Sequence, residues 1–168
     1  MSERTARVSS ATRRRTTLAV GAAALAGIDL ALKIWAKEAL ADGPIGPDSA
    51  QLRLAFNPGV AFSMGDTLPS WLVIGVTALI TTAVGVAAWR TAPKSKAAAA
   101  ALAAILAGAA ANLIDRTVDG AVTDYLHTGW WPTFNLADAF IVCGGLAIVA
   151  LSWRRPAPQP RDATTSTA

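Results

Sequence analysis

The stretch FNLADAF (residues 134–140) runs directly into IVCGGLAIVALSW (residues 141–153), and the reading of that join decides the fold. The second part is apolar enough to lie in hydrocarbon. The first carries an amide, Asn135, and a carboxylate, Asp138, three residues apart and so on one face of a helix. A helix that is polar in its first turns and apolar afterwards is a membrane span that carries chemistry to one boundary of the bilayer. At 1.5 Å per residue, Asp138 lies about 6 Å below that boundary.

The composition of the whole chain agrees. Of 168 residues, 53% are hydrophobic and 15% charged, against roughly 25% charged in soluble domains. Four windows, residues 17–36, 69–89, 97–114 and 134–153, approach the ~20 residues needed to cross a ~30 Å hydrocarbon layer. The alanine-rich third window is the weakest of them. There is no internal repeat. The expected organisation is a basic N-terminus (1–16), a membrane domain (17–153) and a proline-rich polar tail (154–168) of disordered composition.

Charge placement orients the spans. Arg4, Arg7, Arg13, Arg14 and Arg15 precede the first window, Arg90, Lys94 and Lys96 separate the second from the third, and Arg154, Arg155 and Arg161 follow the fourth. By the positive-inside rule both termini and the middle loop are cytoplasmic, and the loops 37–68 and 115–133 lie outside. The net charge of +4 expresses this orientation and calls for no nucleic-acid partner. Trp35, Trp71, Trp130 and Trp131 would sit at the outer interface, Trp89 and Trp153 at the inner one. The N-terminus imitates a cleavable signal peptide, with EALAD after an apolar run, but Asp29 and Lys33 interrupt that run. Cys143 reads as a small apolar core residue and cannot form an internal disulfide. His127 reads as a loop residue, and one histidine with one cysteine gives no zinc ligand set; no metal or cofactor is expected.

Ionisable groups inside spans cost at least ~2.5 kcal/mol each at the bilayer centre, so each needs a partner or a task. Asp29 and Lys33 stand at i and i+4 in the first window, Asn112, Asp115 and Arg116 end the third, and Asn135 and Asp138 open the fourth. All three clusters lie toward the outer side, which suggests a polar pocket opening there. Pairing of Asp29 with Lys33 and of Asp115 with Arg116, with asparagines bridging helices, would account for much of this structurally. Asp138 has no basic neighbour in sequence, and the outer-side acid able to approach it is Asp124 of GAVTDYL. Two carboxylates in a partly desolvated site cannot both ionise easily, so one holds a proton while the other can take one from water. That is the requirement for aspartyl peptide hydrolysis. A small transporter subunit would rather carry its acids near the midplane on inverted repeats. A non-enzymatic membrane protein binding lipid or a partner needs no facing acids. A head-group transferase, prompted by DRTVDG, would need acidic metal ligands on the cytoplasmic side.

DLALK (29–33), FNPGVAFS (56–63), NLIDR (112–116), VTDY (122–125) and FNLADAFI (134–141), in this order, resemble the lipoprotein signal peptidase (signal peptidase II) family over residues 17–153. The resemblance implies an all-α membrane protein of four transmembrane helices, N-in and C-in, in the bacterial cytoplasmic (inner) membrane. It implies an intramembrane aspartyl endopeptidase that removes the signal peptide of diacylglyceryl-modified prolipoproteins before the lipidated cysteine, without an obligatory protein partner. Carried over, the catalytic pair falls on Asp124 and Asp138. Asn57, Asn112, Arg116 and Asn135 match polar residues that line the site, and Asp29 and Lys33 match the first-helix motif. Asp115 is set aside from the pair because the adjacent Arg116 favours a permanently ionised structural carboxylate. Ala111 stands where the family usually has glycine, Val60 where it has a smaller residue, and Pro58 removes a backbone donor beside Gly59. LRLAF, with Leu52, Leu54 and Phe56 alternating, is expected to form a small β-rich extracytoplasmic lobe between helices 1 and 2, with Asn57 and Gly59 at its turn and supporting the site.

Overall fold

The computed structural model describes residues 2–58 and 69–153. Gly59, Val60, Phe62 and Asp66 lie outside the described residues, as does the tail 154–168. The elements in chain order are α1 (Ser2–Ala39), β1 (Gln51–Asn57), α2 (Ser70–Thr91), α3 (Lys96–Asp119), β2 (Val122–His127) and α4 (Leu136–Trp153). Four helical stretches, Ser10–Ala39, Ser70–Thr91, Lys96–Asp119 and Leu136–Trp153, are long and apolar enough to cross a membrane. They coincide with the four windows, and α1 continues well beyond its window toward the N-terminus.

The alanine-rich third helix, weakest by sequence, is the centre of the bundle: α3 packs against α1, α2 and α4. Lipid tails are as apolar as leucine, so helices in a bilayer are held by close backbone approach, and small side chains permit it. Ala99, Ala107 and Ala111 on α3 are almost completely buried, as is Ala137 on α4. Two glycines mark the tightest crossing. A Cβ on Gly108 would stand 2.3 Å from the Ala137 carbonyl oxygen, and one on Gly144 would stand 2.7 Å from that of Ala101. Ser95 caps α3 by accepting from the Ala98 amide at 3.2 Å. Gly120, at φ 75°, ends it in the left-handed conformation and turns the chain into β2.

Large apolar side chains such as Leu79 and Leu146 point outward, and all six tryptophans are exposed, as a lipid-facing surface with aromatic belts requires. Threonines of α2 satisfy themselves inside the apolar layer, Thr77 and Thr81 bonding the carbonyls of Val73 and Thr77 at 2.8 and 2.7 Å. Cys143 is exposed, not a core residue. Because α4 is apolar around its whole circumference, its sequence carries no period that separates a lipid-facing position from a buried one.

The strand expected in LRLAF is β1, but its partner comes from the other outer loop. β1 pairs antiparallel with β2, Ala55 opposite Asp124 and Asn57 opposite Val122, with an irregularity between Leu52 and Ala55. Leu52 and Leu54 pack on Ala36 of α1, on Leu40 just beyond it and on Tyr125 of β2, while Phe56, beyond the irregularity, is exposed. His127 is the last residue of β2, not a loop residue, and its Nδ1 lies 3.2 Å from Thr133 Oγ1.

Candidate active site

The first turn of α4 is built from outside itself. A helix start leaves its first amides without intrahelical acceptors, and here each is met. The Leu136 N–H donates to Tyr125 Oη at 3.2 Å, the Ala137 N–H to Asp29 Oδ1 at 2.9 Å and the Asp138 N–H to Asn135 Oδ1 at 3.0 Å. Asp138 Oδ2 in return accepts from the Asn135 N–H at 3.2 Å. Asn135 therefore precedes the helix as its cap, and Asp138, three residues on, completes a reciprocal capping box. The polar start of FNLADAF is thus a cap and a site at once.

Asn135 also joins the two acids. Its Nδ2 donates to Asp124 Oδ1 at 2.6 Å while its backbone and Oδ1 hold Asp138. From Asp138 the network runs inward: Asn112 Nδ2 donates to Asp138 Oδ1 at 2.9 Å, and Lys33 Nζ donates to Asn112 Oδ1 at 2.6 Å. Lys33 pairs with Asp29 at 3.0 Å and with Asp115 at 3.4 Å. Asp29, Lys33 and Asn135 are at most 1% exposed. A buried cation between two carboxylates, all further hydrogen-bonded, is the form in which charge survives at low dielectric.

Asp115 is neutralised by the lysines of α1, where sequence adjacency suggested Arg116. Lys33 and Lys37 both pair with it, and its Oδ2 accepts from the Thr123 N–H at 2.6 Å, which fixes β2 beside the end of α3. Lys37 also pairs with Asp119. The Arg116 side chain instead lines the cavity onto which both acids open, and the charges of Asp124, Asp115 and Asp138 act on it. Asp115 is thus tied to α1 and β2 as well as lying beside Arg116.

That cavity has a volume of about 330 Å³. Asn57, Asn112, Arg116, Asp124 and Asp138 form its polar side, and Trp131, Phe134, Ile141 and Val142 its apolar side. Asp29, Lys33 and Asn135 stand behind this wall and do not line it. Asp124 is 4% exposed. Burial, and next the charge of Asp138, push its carboxyl from 3.8 up to about 7, against the opposing bond from Asn135. Asp124 therefore titrates near neutrality, where an ordinary carboxyl is fully ionised.

Sequence reasoning missed Tyr125, Thr123 and Lys37 as supports, and Trp131, Ile141 and Val142 as the apolar wall. Tyr125 was visible within VTDY, as a polar aromatic beside an acid. The others carry no signal without knowledge of the β1–β2 pairing.

Fold and site together define a class: a membrane-spanning bundle with paired acids at one end of its helices, an arrangement suited to aspartic-type hydrolysis. The family model of signal peptidase (SPase) II matches residues 21–154. The chain is 38% identical over 149 residues to a lipoprotein signal peptidase of Rhodococcus jostii (strain RHA1), covering 83% of this chain and 73% of that one. It is 38% identical over 151 residues to that of Mycobacterium avium (strain 104), covering 83% and 80%. A solved structure described as a bacterial membrane enzyme, determined by the in meso method at 2.3 Å resolution, superposes with a TM-score of 0.70 at 21% identity, covering 89% of this chain and 95% of that one. The chain belongs to the signal peptidase II family: it is a multi-pass membrane protein and an aspartic-type peptidase.

Proposed function

We propose that Asp124 and Asp138 are the catalytic pair, and that the protein removes the signal peptide from diacylglyceryl-modified prolipoproteins, cutting before the lipidated cysteine. The observation that carries this is the single cavity onto which both acids open, with Asn135 bonded to each. Roles follow from their surroundings. Asp138 accepts an N–H bond on each oxygen and sits in the first turn of α4, where the helix dipole favours an anion. It is the carboxylate that takes a proton from the attacking water. Asp124 holds the proton and donates it toward the scissile carbonyl oxygen. The tetrahedral diol then collapses as Asp138 passes its proton to the departing amide nitrogen and Asp124 takes back a hydroxyl proton while the carbonyl re-forms, which restores both carboxyls to their starting states. Arg116, Asn57 and Asn112 line the polar wall and position the peptide. Gly59, expected to support the same wall, lies outside the described residues.

A substrate anchored by acyl chains and a spanning signal peptide presents its scissile bond at the interface. Asp138, the third residue of α4, lies only about 3 Å along that helix from its start. The distribution of arginine and lysine supports an extracytoplasmic orientation of this end in the bacterial inner membrane. The test is conversion, by purified protein in detergent, of a diacylglyceryl-modified prolipoprotein and of the same precursor without lipid. Cleavage of the modified form alone, unaffected by a chelator, is expected. Failure to cut either form, or chelator-sensitive cutting, would overturn the proposal.

A further inference from the structure

At the end of the bundle remote from the acids, α1 is clamped onto the turn between α2 and α3. Arg15 Nε donates to the Trp89 carbonyl at 3.3 Å, and its guanidinium carbon sits 4.8 Å over the Trp89 ring. Arg14 Nη1 donates to the Pro93 carbonyl at 3.3 Å. Beside this clamp lies a cavity of about 400 Å³, whose polar lining includes Ser10, Arg13, Arg14 and Lys96. It abuts a second, apolar cavity of about 50 Å³ between α1, α2 and α3, walled by Ala19, Gly85 and Leu106. Leu18 and Ala92 line both.

Among the described residues no carboxylate pairs with Arg13, Arg14 or Lys96. Three cations around one cavity repel one another unless an anion joins them. From Arg15 to Lys33 along α1 is about 27 Å at 1.5 Å per residue, close to a hydrocarbon thickness, so with Lys33 near one boundary this cavity lies at headgroup depth on the other. A cationic pocket at headgroup depth that continues into an apolar groove matches one ligand class, a phosphate-bearing lipid. We infer that this is a binding site for an anionic phospholipid, its phosphate held by Arg13, Arg14 and Lys96 and the start of an acyl chain laid along Leu18, Ala19 and Leu106. The site is separate from the acids and stands whether or not they are catalytic.

The test uses the full chain purified in a neutral detergent, with dioleoylphosphatidylglycerol, dioleoylphosphatidylcholine, glycerol 3-phosphate and inorganic phosphate as probes. Binding is read by native mass spectrometry and by the rise in thermal unfolding temperature. Phosphatidylglycerol should bind and stabilise the parent, and the other three should not. Arg13→Gln with Lys96→Gln, both exposed positions, should weaken phosphatidylglycerol binding about thirtyfold, at roughly fivefold per basic group near an anionic lipid. Arg90→Gln with Lys94→Gln removes the same charge from the same end outside the cavity and should leave binding within about twofold, since each contributes there only through screened, longer-range attraction. Ala19→Trp fills the groove without touching a charge and should also weaken retention of the lipid. Equal binding of phosphatidylcholine, equal stabilisation by either soluble phosphate, or equal loss in the Arg90/Lys94 control would overturn the inference. Full retention by Ala19→Trp would overturn the acyl groove.

Discussion

Asp124→Asn should stabilise this protein at alkaline pH and lose that advantage as the pH falls. The folded carboxyl ionises at about 7 and the unfolded one near 3.8. Below both values the two states carry the same proton and there is no cost. As pH rises from about 4, the unfolded chain ionises while the folded one keeps its proton, so stability falls until the folded group also ionises near 7, and is constant above. Between pH 5 and pH 8 the folded protein crosses about two units of this window, which at 1.36 kcal/mol per unit is about 3 kcal/mol. The amide has no such cost and still accepts the Asn135 bond. Any pH-independent penalty of the substitution cancels when the variant-minus-parent difference is followed with pH. At ~2–4 °C per kcal/mol for a chain of this size, the difference in Tm should rise by roughly 6–12 °C from pH 5 to pH 8. Thermal unfolding in detergent, followed by tryptophan fluorescence, measures it. Since burial outweighs Asp138 as the cause, most of the Asp124 contribution should persist when it is read as the difference between Asp138→Asn and the double variant. A Tm difference that stays flat across the range would refute the protonated Asp124.

Asp29→Ala should cost ~3–5 kcal/mol, because it leaves the Ala137 amide without its acceptor and removes one counter-charge from a buried lysine; an unchanged thermal midpoint would show that α4 starts without it. Gly108→Ala should destabilise by ~1–3 kcal/mol through the clash with the Ala137 carbonyl. Gly145→Ala, which meets nothing within 4 Å, should be neutral by the same melting assay. Reporters fused after Lys96 should read cytoplasm and those between residues 42 and 49 the outer side; a cytoplasmic reading at 42–49 would place the cavity in the wrong compartment.

The spans and the gathering of polar groups toward one end of the bundle were legible in the sequence because charge in hydrocarbon is costly enough to be placed only where it is used. Asp29, Lys33, Asn112 and Asp138 stood out on that ground and meet in one network. What sequence could not give was long-range pairing. β1 and β2 are separated by two helices, and neither strand carries a turn signal pointing to the other. The pairing of Asp29 with Lys33 was legible from their i, i+4 spacing, but the reach of Lys33 and Lys37 to Asp115 from another helix was hidden for the same reason. Burial within the bundle was also hidden, since bilayer and protein interior are both apolar. Cys143 was misplaced on that account, and the centrality of α3 showed only as an excess of alanine.

The central claim, that Asp124 and Asp138 act as one unit, is tested most directly by a double-mutant cycle on cleavage. Parent, Asp124→Asn, Asp138→Asn and the double variant are each given a diacylglyceryl-modified prolipoprotein in detergent, and the loss of the signal peptide is followed by gel shift. Neither the acceptance of water's proton nor donation to the carbonyl survives in an amide, so each single variant should lose activity about as completely as the double. Asp119→Asn, which alters an exposed partner of Lys37, should cut nearly as fast as the parent. Substantial turnover by either single variant, or losses that add in the double, would contradict the paired mechanism.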